Sequence, residues 1–192
     1  MDYGVALLEP AVDLPRLSEV LDGVGHEGRV AAVRRMTPRQ MAALYEAAKG
    51  FRSLALSHFV PAGTAPLTEV IHEGKNSLAM FTTFQKRFCQ LPDRTDALGG
   101  YNHQAMGWIT GPGYFVAHDD TEAGQIGIDY YQVPAVKPEA WPAIRTNEGG
   151  LGRVVYGKMI DVMRGVSEHV SIGRAVRDGK VADNWFVLVR KP

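Results

Sequence analysis

Histidines, carboxylates and tyrosines crowd residues 101–130, which hold Tyr101, His103, Tyr114, His118, Asp119, Asp120, Glu122, Asp129 and Tyr130. An imidazole beside a carboxylate is the minimum set for general acid–base work, because the carboxylate fixes the ring tautomer and raises its basicity. His118 closes the apolar run 114–117, and Asp119 and Asp120 follow it directly. These three, with His103 from the preceding glycine-flanked segment, are the candidate catalytic groups. The same residues would also suit a solvated acidic loop.

A second candidate is the passage Val70-Ile71-His72-Glu73-Gly74-Lys75-Asn76-Ser77. A glycine turn that opens a helix exposes unpaired N–H groups, and Lys75 would add a charge for a phosphate or carboxylate. It is not a Walker A loop, since Glu69 stands where the first glycine belongs and Asn76 replaces Ser/Thr. The plain alternative is that Asn76 or Ser77 caps the helix. Tyr101, His169 and Trp185 are candidates for orienting a substrate, with Trp185 as a pocket wall beside Asp183-Asn184. Arg174 is a second cation for an anionic group.

His103, His118, Asp119 and His169 carry enough donors for zinc or iron, and His118-Asp119-Asp120 matches His-x-Asp. No His-Glu-x-x-His, His-x-His or second cysteine accompanies them, so no metal ligand is assigned and the cofactor stays unknown. Gly-x-Gly-x-x-Gly after a strand is absent, as is Gly-x-Ser-x-Gly. Cys89 beside Phe88 reads as an inert thiol in an apolar setting.

The chain has 192 residues, and 21 Lys plus Arg balance 21 Asp plus Glu. A neutral chain lacks the field that gathers nucleic acid. No stretch approaches the length of a membrane-spanning helix, the N-terminus is acidic where a signal peptide would be basic, and one cysteine allows no internal disulfide. The expected place is the cytoplasm, with a small-molecule ligand and no nucleic acid or membrane partner. A homo-oligomer formed through an apolar sheet face stays open.

The elements that must position these groups follow from spacing. Residues 38–49 form a helix: Thr37 and Gln40 make a capping box, Pro38 suits the first turn, and Met41, Leu44, Tyr45 and Ala48 fall on one stripe. Further helices are expected over 14–21, 27–36, 78–90 (ridge Leu78, Phe81, Phe84 and Phe88, with Lys86 facing elsewhere) and 154–166. Strands are expected over 67–72, 114–118 and 125–133, with 91–100 as a loop and 134–142 as a proline-rich connector anchored by Trp141. Residues 169–176 and 182–190 form a hairpin about Asp178-Gly179.

The resulting expectation is a single α+β domain over residues 1–192. Its N-terminal helical part (about 12–58) packs on a mainly antiparallel sheet of about four or more strands (about 67–190) ending in a C-terminal β-hairpin. The groups around His103, His118 and His169 would converge on a pocket between sheet and helices. The expected function is a cytoplasmic enzyme acting on a small organic, anionic substrate by His/Asp acid–base chemistry. The alternative is a non-catalytic small-molecule-binding or regulatory domain.

Overall fold

The computed structural model describes residues 3–78, 82–103, 111–120, 122–147 and 157–192. Three helices come first: α1 (Leu14–Gly23), α2 (His26–Arg35) and α3 (Pro38–Ala47), followed by one turn, α4 (Leu56–Phe59). Asp13 caps α1, and α3 carries the full Thr37/Gln40 capping box. Eight strands follow: β1 (Val70–Asn76), β2 (Thr83–Leu91), β3 (Arg94–His103), β4 (Tyr114–Asp119), β5 (Ile126–Asp129), β6 (Met159–Gly165), β7 (Val170–Arg177) and β8 (Lys180–Arg190). Each strand pairs antiparallel with the next, and β8 pairs with β1, so the sheet closes into a barrel. We call the end holding Asn76, Thr83 and His103 the upper end.

This corrects the expected α+β layer of helices on an open sheet. The helices do lie against one stretch of the outer wall, where Val166, Val170, Ile172, Val187 and Val189 meet α1, α2 and α3. The opposite faces of the strands do not need a second layer, because they line a lumen. Two of the strands differ from the expected helices for one physical reason. Residues 78–90 and 154–166 carry apolar side chains four apart, a spacing that suits a helix and equally suits one face of a strand, where alternate residues share a side. Within these ranges the described residues form β2 and β6; residues 79–81 and 154–156 lie outside the described residues. The expected loop 91–100 largely belongs to β3, whose Gly99 and Gly100 are buried strand positions rather than turn residues. The hairpin 169–190 forms as β7 and β8 about Asp178 and Gly179, both at positive φ.

The lumen is filled by Phe88, Leu98, Phe115, Ala117, Ile126, Ile128, Met163, Phe186 and Leu188, with Phe59 entering from α4 at the lower end. Closely packed aromatic rings in so narrow a barrel need wall positions without side chains. A Cβ on Gly74, Gly100 or Gly173 would lie within 3.0 Å of the rings of Phe84, Phe115 and Phe186 respectively. Outside the wall, Cys89, Tyr101 and Tyr114 are covered by Trp141 from the connector after β5. No helix among the described residues is long and apolar enough to cross a membrane.

Gly100 gives a direct test of lumen packing. A Cβ there meets not only Phe115 but the Arg87 backbone carbonyl at 2.6 Å, which cannot move aside. Gly100→Ala is expected to destabilise the fold by about 2–3 kcal/mol in urea denaturation. Gly23→Ala, where the added methyl meets nothing within 4 Å, should change stability by less than about 0.5 kcal/mol.

Candidate functional site

Inward positions of β2 run Phe84, Lys86, Phe88, so a lysine is threaded between two phenyl rings into the lumen. Register carries this across the barrel: Lys86 faces Asn102 on β3, and Asp161 sits inward on β6 opposite Ile128. Lys86 is 2% exposed and Asp161 2%. The Lys86 ammonium donates to Asp161 Oδ2 (3.1 Å), to Asn102 Oδ1 (3.0 Å) and, through a short contact, to the Tyr130 hydroxyl. Tyr130 follows β5; its hydroxyl accepts from Asn102 Nδ2 (3.0 Å) and donates to Asp161 Oδ2 (3.2 Å). Asn102 spends its other N–H on the Gly113 carbonyl (3.0 Å).

Four rings surround the ammonium: Phe84, Phe115, Tyr130 and Phe186, with centroids 5.8, 5.1, 5.0 and 4.9 Å from Nζ. Burial pushes the Lys86 amine below its ordinary range, and the Asp161 carboxylate pulls it back. A lone charge here would be very costly, so the partner carboxylate and the ring faces are what allow it. The glycines at 74, 100 and 173 are what let three of those rings lie against the wall.

Tyr130 also lines a recess of about 370 Å³ at the upper end, together with Tyr131, Val133, Asn147, Gly157 and Lys158. Asn147, another lining residue, is fixed by donating to the carbonyls of Tyr114 (2.8 Å) and Tyr130 (2.9 Å). Lys158 stands at its rim, exposed, 3.3 Å from Asp178.

The lower end is closed differently. Phe59 packs on His72 and Phe88, with centroids 5.5 and 5.0 Å away. His72 Nε2 is 2.9 Å from the Phe59 carbonyl, which can only accept, so Nε2 carries the proton. Arg190 donates to the His58 carbonyl (2.6 Å) and to His169 Nδ1 (3.1 Å). Burial pushes both His58 and His72 down to about 3, with Arg190 and His169 adding like charge.

The chain matches no protein-family model, no curated protein and no solved structure.

The structure does not bring the histidines expected from sequence together. His103 is exposed at the upper end, where it pairs with Gln85; His118 pairs with Ala97 near the lower end. Between Ala97 and His103 the strand advances about 20 Å at ~3.3 Å per residue. His169 is also at the lower end, but β5 and β6 separate its turn from β4. His118 faces outward; its Nδ1 donates to the Asp119 carbonyl (2.8 Å), and its nearest described carboxylate is Asp129 at 3.9 Å. Asp119 is exposed and Asp120 half-buried.

Tyr101 lies outside the lumen against Trp141, with centroids 4.8 Å apart. Arg174 and Trp185 stack on the outer wall, 4.9 Å from guanidinium to ring, and Arg174 is occupied by Asp183 at 3.1 Å. Lys75 is an outer position of β1, not the first turn of a helix. No group of three or more His, Cys, Asp or Glu that could hold a metal occurs among the described residues. Cys89 is buried in β2 and pushed up to about 12, chiefly by burial. Sequence reasoning missed Lys86, Asn102, Tyr130 and Asp161 as a set. The signal was present in Phe84-Lys86-Phe88, an alternation that as a strand puts the lysine on the apolar side.

Unfolded histidines take up protons near 6.5 while folded His58 and His72 resist until about 3. The unfolded state thus binds more protons between those values, and stability is lost as pH falls through that window, by about 1.4 kcal/mol per unit for each imidazole. The urea midpoint is expected to drop between pH 7 and 4.5, and His58→Leu should make that drop shallower; a flat midpoint would contradict the burial. At the other end, Asp161→Asn strips the ammonium of its counter-charge and is expected to cost about 3–5 kcal/mol. The double change Lys86→Met with Asp161→Leu should cost much less than the two single changes summed, as read from a double-mutant cycle.

Proposed function

We propose that this chain binds a small organic molecule at the upper end of the barrel and acts on it by acid–base chemistry. Tyr130 meets the ligand, and Lys86 and Asp161 form the charged pair behind it. The observation that carries this is the position of Tyr130, which lines the recess and also bonds to both members of the buried pair. A hydroxyl hydrogen-bonded to both an ammonium and a carboxylate can take or give a proton within that network. The apolar wall of Val133 and the cation of Lys158 suit a ligand with an apolar body and an anionic or carbonyl group. In this reading the acid–base groups are Lys86, Tyr130 and Asp161 rather than a His/Asp pair. The chain's zero net charge argues against nucleic acid as the partner, and the cytoplasm remains the expected place.

A non-catalytic binding role has one observation in its favour: all three protons of the Lys86 ammonium already have acceptors, so the network is complete without a ligand.

The test is an amide NMR titration with a panel of small 2-oxo acids and cyclic ketones, followed by α-proton exchange of the same compounds in D2O. Shifts are expected at Tyr131, Asn147, Gly157 and Lys158, with exchange at least tenfold above buffer. Tyr130→Phe should retain the shifts and lose the exchange. Shifts without exchange in the wild type would favour the binding role, and no shifts at all would sink the proposal.

A further inference from the structure

Lysine amines that sit in an apolar enclosure, beside a group able to carry protons, are suited to attack carbonyl carbon. Lys86 meets both conditions, and the groups around it match the needs of each stage of that reaction. We propose that Lys86 forms a reversible imine with a small aldehyde or ketone that enters through the upper recess. This rests on the preceding reading of where the ligand binds, and adds a covalent step to it.

The step balances without any further reagent. The ammonium first yields a proton to Asp161 through the contact at 3.1 Å. The free amine nitrogen attacks the carbonyl carbon, a C–N bond forms as the carbonyl π bond breaks onto oxygen, and the Tyr130 hydroxyl gives its proton to that oxygen while taking one from the attacking nitrogen. The resulting carbinolamine then loses its oxygen as water: the C–O bond breaks, with Tyr130 again delivering the proton that Asp161 had accepted. The net change is carbonyl plus ammonium to protonated imine plus water, with no change in charge.

That last point decides why this enclosure favours the reaction. A protonated imine keeps its positive charge at the same nitrogen, so Asp161 does not lose its counter-ion and no unpaired carboxylate is left in the lumen. One N–H remains to donate to Asp161. The two acceptors released, Asn102 Oδ1 and the Tyr130 hydroxyl, lie 3.0 Å from Nζ in the first case and in short contact with it in the second, where the departing oxygen must be held. Asn102 Nδ2 donates to the Tyr130 hydroxyl at 3.0 Å and so holds that hydroxyl in place for the relay. The rings of Phe115, Tyr130 and Phe186, 4.9–5.1 Å from Nζ, present faces to a cation that carries apolar substituents, a better match than to a bare ammonium. Burial, which disfavours the protonated amine, works in the same direction by raising the share of free amine. The six other lysines lack this setting: Lys158, for example, is exposed and pairs with Asp178 at the surface.

The test uses the wild-type full-length chain at pH 7 with acetaldehyde, butanone or pyruvate in turn, each with sodium cyanoborohydride to reduce any imine to a stable secondary amine. Intact mass and peptide mapping then locate the adduct. The expected result is one adduct at Lys86, formed at least tenfold faster than at Lys49, Lys75, Lys137, Lys158, Lys180 or Lys191, and absent from a Lys86→Met control. Adducts confined to the other lysines, while the same carbonyls still shift the Asn147 and Lys158 amides, would overturn the imine and leave the binding site standing. No adduct and no shift would overturn both.

Discussion

Pairing of β1 with β8, from His72 to Asn76 against Phe186 to Arg190, is the constraint from which the rest of the molecule follows. It joins two strands separated by most of the sheet's sequence and turns a meander into a barrel. Closure removes both sheet edges and satisfies their backbone groups. It also creates a buried interior, so each strand must send alternate residues into a common space of fixed width. The phenyl rings, the glycines opposite them and the single buried lysine are consequences of filling that space.

The filling is not uniform along the axis. At the lower end α4 supplies Phe59 as a stopper, and the polar groups beside it, His58 and His72, are kept neutral by burial and by Arg190. At the upper end the lumen holds a full charge and its counter-charge, stitched by Tyr130 and Asn102 to β2, β3, β6 and the end of β5. A protein that needed only stability would do as well with apolar residues of similar volume there. Tyr130, which bonds to both members of the pair, also lines the recess at that end.

The outer wall does a different job. The helices cover the outward valines and isoleucines of β7 and β8, and Trp141, anchored by Glu69 at 2.6 Å, covers Tyr101 and Tyr114. Residues that look chemical in a linear reading, among them Tyr101, Arg174 and Trp185, are engaged in this cladding. Arg174 and Trp185 stack on each other and tie β7 to the start of β8.

Local chemistry was readable from the sequence wherever a short segment decides its own conformation. The capping box of α3, the Asp178-Gly179 turn and the anchoring of Trp141 all depend on contacts or backbone preferences within a few residues, or on one large apolar side chain seeking cover. The closed sheet and the site were not readable in the same way. Apolar residues four apart satisfy a helix stripe and a strand face alike, so Phe84 and Phe88 alone did not say which way Lys86 points. Its partners lie 16, 44 and 75 residues away, at Asn102, Tyr130 and Asp161. The amino-acid order determined which turns and caps form; only barrel closure, which sets the register of strands distant in the chain, decided that these four polar groups share one buried interior.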